Sequence, residues 1–291
     1  MSSNREYKDS AFRMIFKEPN NTAQLHFALT NNQVIGDDIV MDTAEGILVN
    51  SLNHDIAYRV QHTAMLIAEH QSTSNENTPM RMLLYVAAWF DRYIKSIAPR
   101  AIYSHKLIHC PKPFFAVLYN GKSGEPDERT LRLSDAFGGV ECPLELIVKM
   151  YNINYSPDNV RDILKRCKPL REYSMLVYEV ESRRKELGLE RAIKAAVEYC
   201  IGSGILQDFL EKHSEEVAIV MQNEWDMDTA LEVRGEERYV DGREDGRAEG
   251  HAEGVLGSIR SLMQTLNFTA EKAMDALQIP AGDRAKYLAA I

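Results

Sequence analysis

The sequence predicts an α/β fold in which a sheet is packed by helices and the C-terminal half is helical. Three observations predict it. A helical opening segment is followed by three consecutive strand-like runs. One long amphipathic stretch then separates those runs from two more. Beyond Pro157 the apolar spacing is helical throughout.

In order along the chain, Asp9 and Ser10 are suited to cap a first helix whose apolar face is Ala11, Phe12, Ile15 and Phe16. Pro19 and Asn20-Asn21 interrupt it, and Leu25, Phe27, Ala28 and Leu29 mark a second short helix. The strand runs are Ile39 to Val49, Leu52 to Val60 and Met65 to Gln71. Pro79 sits where a helix starts, Met82, Val86, Trp89, Tyr93 and Ile97 recur at helical spacing, and Pro99 ends the run. Phe114 to Tyr119 and Leu144 to Tyr151 are the later strands, and helix is predicted from about Val160 to Glu237. Val255 to Leu266 is amphipathic, Thr269 can cap a helix to about Leu277, and Pro280 opens a last one reaching Leu288. These short helices carry no core of their own and are expected to pack on one another, on the body or on a partner. The division expected is residues 1–235 as the main domain and 236–291 as a tail.

Composition sets outer limits. Of 291 residues, 45% are apolar and 26% charged, ordinary for a globular protein. No run of about 18 apolar residues is present, so no membrane span is expected. Met1 to Lys17 lacks the basic-then-apolar order of a signal peptide, which makes the cytoplasm the expected location. Cys110, Cys142, Cys167 and Cys200 form no CxxC pair and are expected as reduced thiols in or near a core, without zinc. The net charge of −9 argues against nucleic acid only until it is located: Ser214 to Gly254 holds 13 acids against 4 arginines, so the remainder is neutral. A neutral body can still carry a basic groove.

The informative stretch runs from Asn53 to Gln71. If its two strands form a hairpin turning near His62, residues equidistant from the turn face each other, and Asp55 faces Glu69. Cross-strand neighbours have Cβ atoms ~5 Å apart. Two carboxylates at that separation repel unless a cation lies between them. A hard divalent ion, Mg²⁺ or in its place Mn²⁺, suits such oxygen donors. Gln71, two residues beyond Glu69, falls on the same face and can orient a water or a phosphate oxygen. His70 falls on the other face, which leaves its backbone carbonyl as a metal ligand and removes its imidazole from the chemistry. The pattern depends on register, since a slip of one residue separates the acids. Paired strand acids are also common on solvated sheet surfaces; here Glu69 ends the apolar run Met65 to Ala68, where a bare charge is costly.

The stretches Lys8 to Arg13, His54 to Tyr58, Ile67 to Thr73, Pro79 to Tyr85, Tyr119 to Gly121, Leu131 to Phe137, Tyr151 to Tyr155 and Cys167 to Leu170 follow one another in the order of a known pattern. On them the chain resembles the Rpn group, recombination-promoting nucleases also described as transposases, of the PD-(D/E)XK superfamily. The resemblance implies a restriction-endonuclease-like core, a central mixed sheet flanked by helices. It implies that Asp55 and Glu69 bind Mg²⁺, and that Gln71 stands where the superfamily usually has lysine. Glutamine brings no positive charge, so more of the charge stabilisation falls to the metal. Asp9 would be an accessory acid acting through water, a position that suits an N-cap equally.

Arg81 and Tyr85 are four apart on one helix face, either a phosphate contact or a polar pair fixing helix to sheet. Arg161, Lys165 and Lys168 share a helical face if no break intervenes, though Pro169 breaks it soon after, and Lys165 and Lys168 are candidates for a DNA groove. Gly242, Gly246, Gly250 and Gly254 recur every four residues. They suit a flexible charged linker or, the preferred reading, a helix whose glycines admit a second helix and make a homo-oligomer. The function expected is a Mg²⁺-dependent DNA endonuclease linked to recombination, mobile elements or defence. The alternative is a catalytically weak DNA-binding or oligomeric regulatory protein that keeps the fold.

Overall fold

A computed structural model describes residues 11–41, 55–60, 64–98, 100–121, 124–140 and 142–291. Within these ranges the side chains of 55, 64–69, 101, 227–238, 240–241, 244–245 and 248 are left undescribed. Two compact units result, Met1–Asp226 and Met227–Ile291.

The first unit is α/β. Six strands, β1 (Ile39–Met41), β2 (Asp55–Val60), β3 (Ala64–Gln71), β4 (Lys112–Tyr119), β5 (Glu128–Arg132) and β6 (Ile147–Asn152), form one sheet in the order β1-β2-β3-β4-β6-β5. β1 to β3 pair antiparallel, β3-β4 and β4-β6 pair parallel, and β5 returns antiparallel at the edge. The parallel step needs a crossover, supplied by α3 (Thr78–Ile97). Pro79 stands in its first turn, and Met82, Val86 and Trp89 bury one face while Leu84 stays in solvent.

Strand alternation divides the core. Ile56, Tyr58, Val60, Ala116 and Leu118 face a cluster built with α1 (Ala11–Phe16), α2 (Pro19–Thr30), α4 (Asp162–Arg166), α5 (Lys168–Leu187) and α6 (Leu189–Gly202). Val117, Tyr119, Val148 and Met150 face α3 on the other side. α5 buries Leu170, Tyr173, Leu176 and Val180, a helical stripe. It gives way to α6 at Gly188, whose φ of 75° is one that a side chain resists. α7 (Gln207–Leu266) begins in this unit and leaves helical angles at His213.

Several expectations need correction. Pro19 opens α2 rather than only interrupting. β5 was not foreseen, and the predicted helix beyond Val160 is broken at Cys167, Gly188 and Ser203. Cys167 and Cys200 are buried, their thiols pushed up to about 12 by desolvation, but Cys110 is exposed and Cys142 half-buried. Asp9, the turn at His62, residues 42–49 of the predicted strand to Val49 and residues 52–54 of the next lie outside the described residues.

In the second unit the glycine repeat is helical, within α7, and beyond their own helical turn Gly242, Gly246, Gly250 and Gly254 have no described heavy atom within 4 Å of where a Cβ would sit. The short helices α8 (Ala270–Ala276) and α9 (Ala281–Leu288) pack on each other, as expected, but around a small core that the sequence reading did not give them: Ile259 of α7 is buried with Ala273, Met274, Ile279 and Tyr287. Thr269 caps α8 by accepting the Lys272 N–H at 3.3 Å.

Deep in the first unit, His26 Nδ1 and Tyr58 Oη share a hydrogen bond of 3.1 Å, with His26 1% exposed. Burial lowers the His26 pKa below 6.5 and raises that of Tyr58 well above 10.0. The unfolded chain therefore takes up the imidazole proton first as pH falls, so stability present above 6.5 declines below it. The thermal midpoint is expected to drop between pH 7.5 and pH 5.5. His26→Gln should shrink that drop, and an unchanged pH profile in the variant would remove His26 as its source.

Candidate functional site

The antiparallel register of β2 and β3 pairs Asp55 with Glu69, Ala57 with Ile67 and Arg59 with Met65. Directly opposed residues share a sheet face. Ile56 and Tyr58 belong to the core under α1, α2 and α5, so Asp55 takes a position on the face covered by α3. The β3-β4 pairing agrees: Glu69 lies beside Val117 and Gln71 beside Tyr119, both on the α3 face. Three residues of the expected site thus occupy one face at one end of the sheet.

His70 alternates to the other face. Its ring stacks on Phe12 with centroids 4.9 Å apart, and Nε2 lies 3.2 Å from the Tyr173 Oη. Those contacts make the imidazole a structural bridge from β3 to α1 and α5 and leave only the backbone of His70 near the acids. Gln71 is half-buried, and its carbonyl oxygen accepts the Asn120 N–H at 2.9 Å, which locks the ends of β3 and β4 together.

A group of amides that had no assigned role closes this end of the sheet. Asn152 is 2% exposed and donates Nδ2–H to Glu125 O at 2.8 Å. Its Oδ1 accepts from the backbone N–H and the side chain of Asn154, at 3.1 and 3.0 Å. Asn154 Nδ2 also donates to Gly121 O at 2.9 Å, and the Ile153 N–H binds Tyr119 O at 2.8 Å. The sequence signal was present, in Asn120-Gly121 and Asn152-Ile153-Asn154 directly after apolar strands. Paired asparagines at strand ends also read as ordinary turns, so the pattern alone did not separate a scaffold from a loop.

Arg81 lies in the first turn and a half of α3, half-buried. Its guanidinium donates to Thr78 Oγ1 at 3.3 Å, and that hydroxyl donates to Asn75 O at 2.7 Å. Tyr85 packs partly buried under the same helix. Arg81 therefore lies on the helix that covers the Asp55–Glu69 face, braced within its own turn.

The other basic candidates are dispersed. Cys167, with φ −131° and ψ 103°, separates α4 from α5, so Lys165 and Lys168 do not share a continuous helical face. Exposed Lys165 pairs with Asp162 at 2.8 Å and Lys168 with Glu172 at 3.5 Å. Arg161 pairs with Asp127 at 3.0 Å and donates to Asn154 O, an anchor for the amide group. Arg129, which no sequence pattern marks, ties β5 to the segment after β3 through Glu76 at 2.6 Å. Asp9 lies outside the described residues.

A cavity of about 1150 Å³ is bordered by Lys17, Lys168, Glu172, Lys212 and Glu216. It lies among α1, α2, α5 and α7, away from the acid pair, and its mixed charge favours no single ligand class. Among the described residues no group of three His, Cys, Asp or Glu side chains gathers as a metal site, and the side chains of Asp55 and Glu69 lie outside that description. The donor set at the register position is all oxygen, two carboxylates and the His70 carbonyl, which fits a hard divalent cation. No helix is long and apolar enough to cross a membrane among the described residues. Protein-family models, curated proteins and solved structures gave no match to the chain.

Proposed function

We propose that the chain is a metal-dependent DNA endonuclease built on a restriction-endonuclease-like core of the PD-(D/E)XK superfamily. One observation carries the reading: two carboxylate residues are Cα partners on adjacent strands, with an amide side chain two residues further on the same face. The resemblance of the sequence to the Rpn group supports it, as does the passage of β3 through α3 into a parallel β4. Asp55 and Glu69 would hold Mg²⁺, or Mn²⁺ in its place, with the His70 carbonyl as a third oxygen donor. The ion, when bound, supplies positive charge for the scissile phosphate and lowers the pKa of a coordinated water.

The chain's own groups set orientation. A glutamine at position 71 both donates and accepts hydrogen bonds, so it can fix a water against a phosphate oxygen, but it cannot relay a proton as an amine does. Arg81 reaches the same side of the sheet on α3 and suits a phosphate of the bound strand. Its brace on Thr78 limits the rotamers lost on binding. Lys165 and Lys168 remain secondary DNA contacts in this reading, each weakened by its carboxylate neighbour. Self-association through the glycine-bearing part of α7 is the partner half of the reading. A sedimentation profile showing monomer at every concentration would remove it.

The test is cleavage of supercoiled plasmid by the purified full chain across a Mg²⁺ titration, with EDTA as control. Nicked or linear product that appears only with metal supports the reading. Binding of plasmid without cleavage in either Mg²⁺ or Mn²⁺ would replace it with a DNA-binding protein that retains the fold.

A further inference from the structure

Between Asp91 and Glu125 the chain contains no acidic residue but six lysines and arginines. The middle of this stretch is the connection from α3 to β4, residues 100–111. Among the described residues, the two most exposed large apolar side chains lie here. Tyr103 is 86% exposed, Leu107 81% and Ile102 64%. Arg100 and Lys106, within the same connection, and Lys112, at its end, are exposed as well. Lys112 sits over the Phe114 ring at 5.3 Å, and among the described residues no carboxylate pairs with any of the three.

Exposed aliphatic and aromatic side chains interleaved along one connection with cations that no carboxylate neutralises have a specific meaning. Cations alone suit any polyanion, including the phosphates of a duplex. A duplex hides its base faces in the stack and offers little to Tyr103, Ile102 and Leu107. An unpaired strand presents phosphates and apolar base faces together, and aromatic side chains stack on such bases in a sequence-tolerant way. An acidic protein segment would answer the charge, but it would leave the exposed ring without a flat partner.

We propose that the 100–112 connection binds single-stranded nucleic acid, with Tyr103 stacking on a base, Ile102 and Leu107 flanking it, and Arg100, Lys106 and Lys112 holding phosphates. The surface lies at the end of β4 away from the acid pair. Lys112 pairs with Ala64, and Val117, five residues on, pairs with Glu69, a separation of roughly 17 Å at 3.3 Å per residue. It therefore acts as a separate contact and stands whether or not the chain cleaves DNA.

The test is fluorescence anisotropy in EDTA with the full chain, using labelled oligo-dT and a duplex of equal length, each across a salt series. Binding of oligo-dT tighter than duplex is expected. Tyr103→Ala should weaken oligo-dT binding by roughly tenfold, given that a stacked base is worth about 1–3 kcal/mol, and leave the duplex within about twofold. Arg100→Ala, Lys106→Ala and Lys112→Ala together should reduce the salt slope by about 2, since each phosphate contact on a single strand contributes roughly 0.7. Tyr103→Phe, which keeps the ring, should bind as wild type. Circular dichroism of each variant separates misfolding from lost contacts. Equal affinity of wild type and Tyr103→Ala for oligo-dT, or an unchanged salt slope in the triple variant, overturns the proposal. So does binding of an acidic peptide spanning residues 214–254 in place of either oligonucleotide.

Discussion

Glu69→Gln and Asp55→Asn are each expected to cut the rate of Mg²⁺-dependent plasmid cleavage by at least about 100-fold, while the thermal midpoint stays level or rises. The rate effect follows from charge. A divalent ion held by these two carboxylates, as proposed, would lose one of its two formal anionic partners in either variant, and with it part of the charge stabilisation it would supply. A 100-fold loss corresponds to about 2.7 kcal/mol of barrier, well within what charge stabilisation by a metal contributes. The stability effect has the opposite sign because Asp55 and Glu69 are Cα partners. Without metal their charges repel, and neutralising one relieves that repulsion. The measurement is single-turnover cleavage beside thermal unfolding in EDTA and in Mg²⁺. Wild type should gain stability from Mg²⁺, and each variant should gain much less. Cleavage that survives in both variants would place the chemistry elsewhere in the chain. A metal-dependent midpoint that survives as well would remove the acid pair as the binding site.

The register behind that expectation was legible in the sequence for a physical reason. Apolar residues alternate along Ile56, Tyr58 and Val60 because that face is buried under three helices, and a buried face penalises any slip by one residue. The same logic made α3 legible, since Met82, Val86 and Trp89 pack on one side only. It failed at β5. Glu-Arg-Thr-Leu-Arg buries only Leu131 and lies at the sheet edge, where charged side chains are compatible with a strand and no alternation is imposed. It also failed for the breaks between α4, α5 and α6. Pro169, Gly188 and Gly204, whose φ is 72°, are local signals there, but the helical apolar spacing that packing imposes continues across them and hides where each helix stops. The roles of Asn152 and Asn154 were hidden for a related reason. Their bonds run to Glu125 and Gly121, residues about thirty positions away that composition and spacing do not bring together.

Gly121→Ala is expected to be the most damaging single methyl group at this end of the sheet. A Cβ there would lie 1.8 Å from the Ser72 carbonyl oxygen, 2.5 Å from the Tyr119 Oη and 2.7 Å from its ring. The tyrosine ring is nearly fully buried and the first neighbour is backbone, so neither yields as a surface side chain would. Ser72 follows Gln71 directly, and Gln71 O already holds the Asn120 N–H, so pushing Ser72 away strains the bond that joins β3 to β4. Overpacking of this kind costs about 1–3 kcal/mol and more where backbone must move. At roughly 2–4 °C per kcal/mol for a unit of this size, the midpoint should fall by about 2–12 °C, toward the upper end because backbone must move. Gly124→Ala is the control, because its Cβ would meet nothing within 4 Å, and it should stay within about 0.5 kcal/mol of wild type. Cleavage by Gly121→Ala, measured well below its midpoint, should also fall, because the displaced segment carries Gln71. A variant that loses stability but cleaves at the wild-type rate would show that the end of β3 is tied to the fold and not to the chemistry. A variant that loses neither would mean that Ser72 and Tyr119 are not packed against Gly121 in solution.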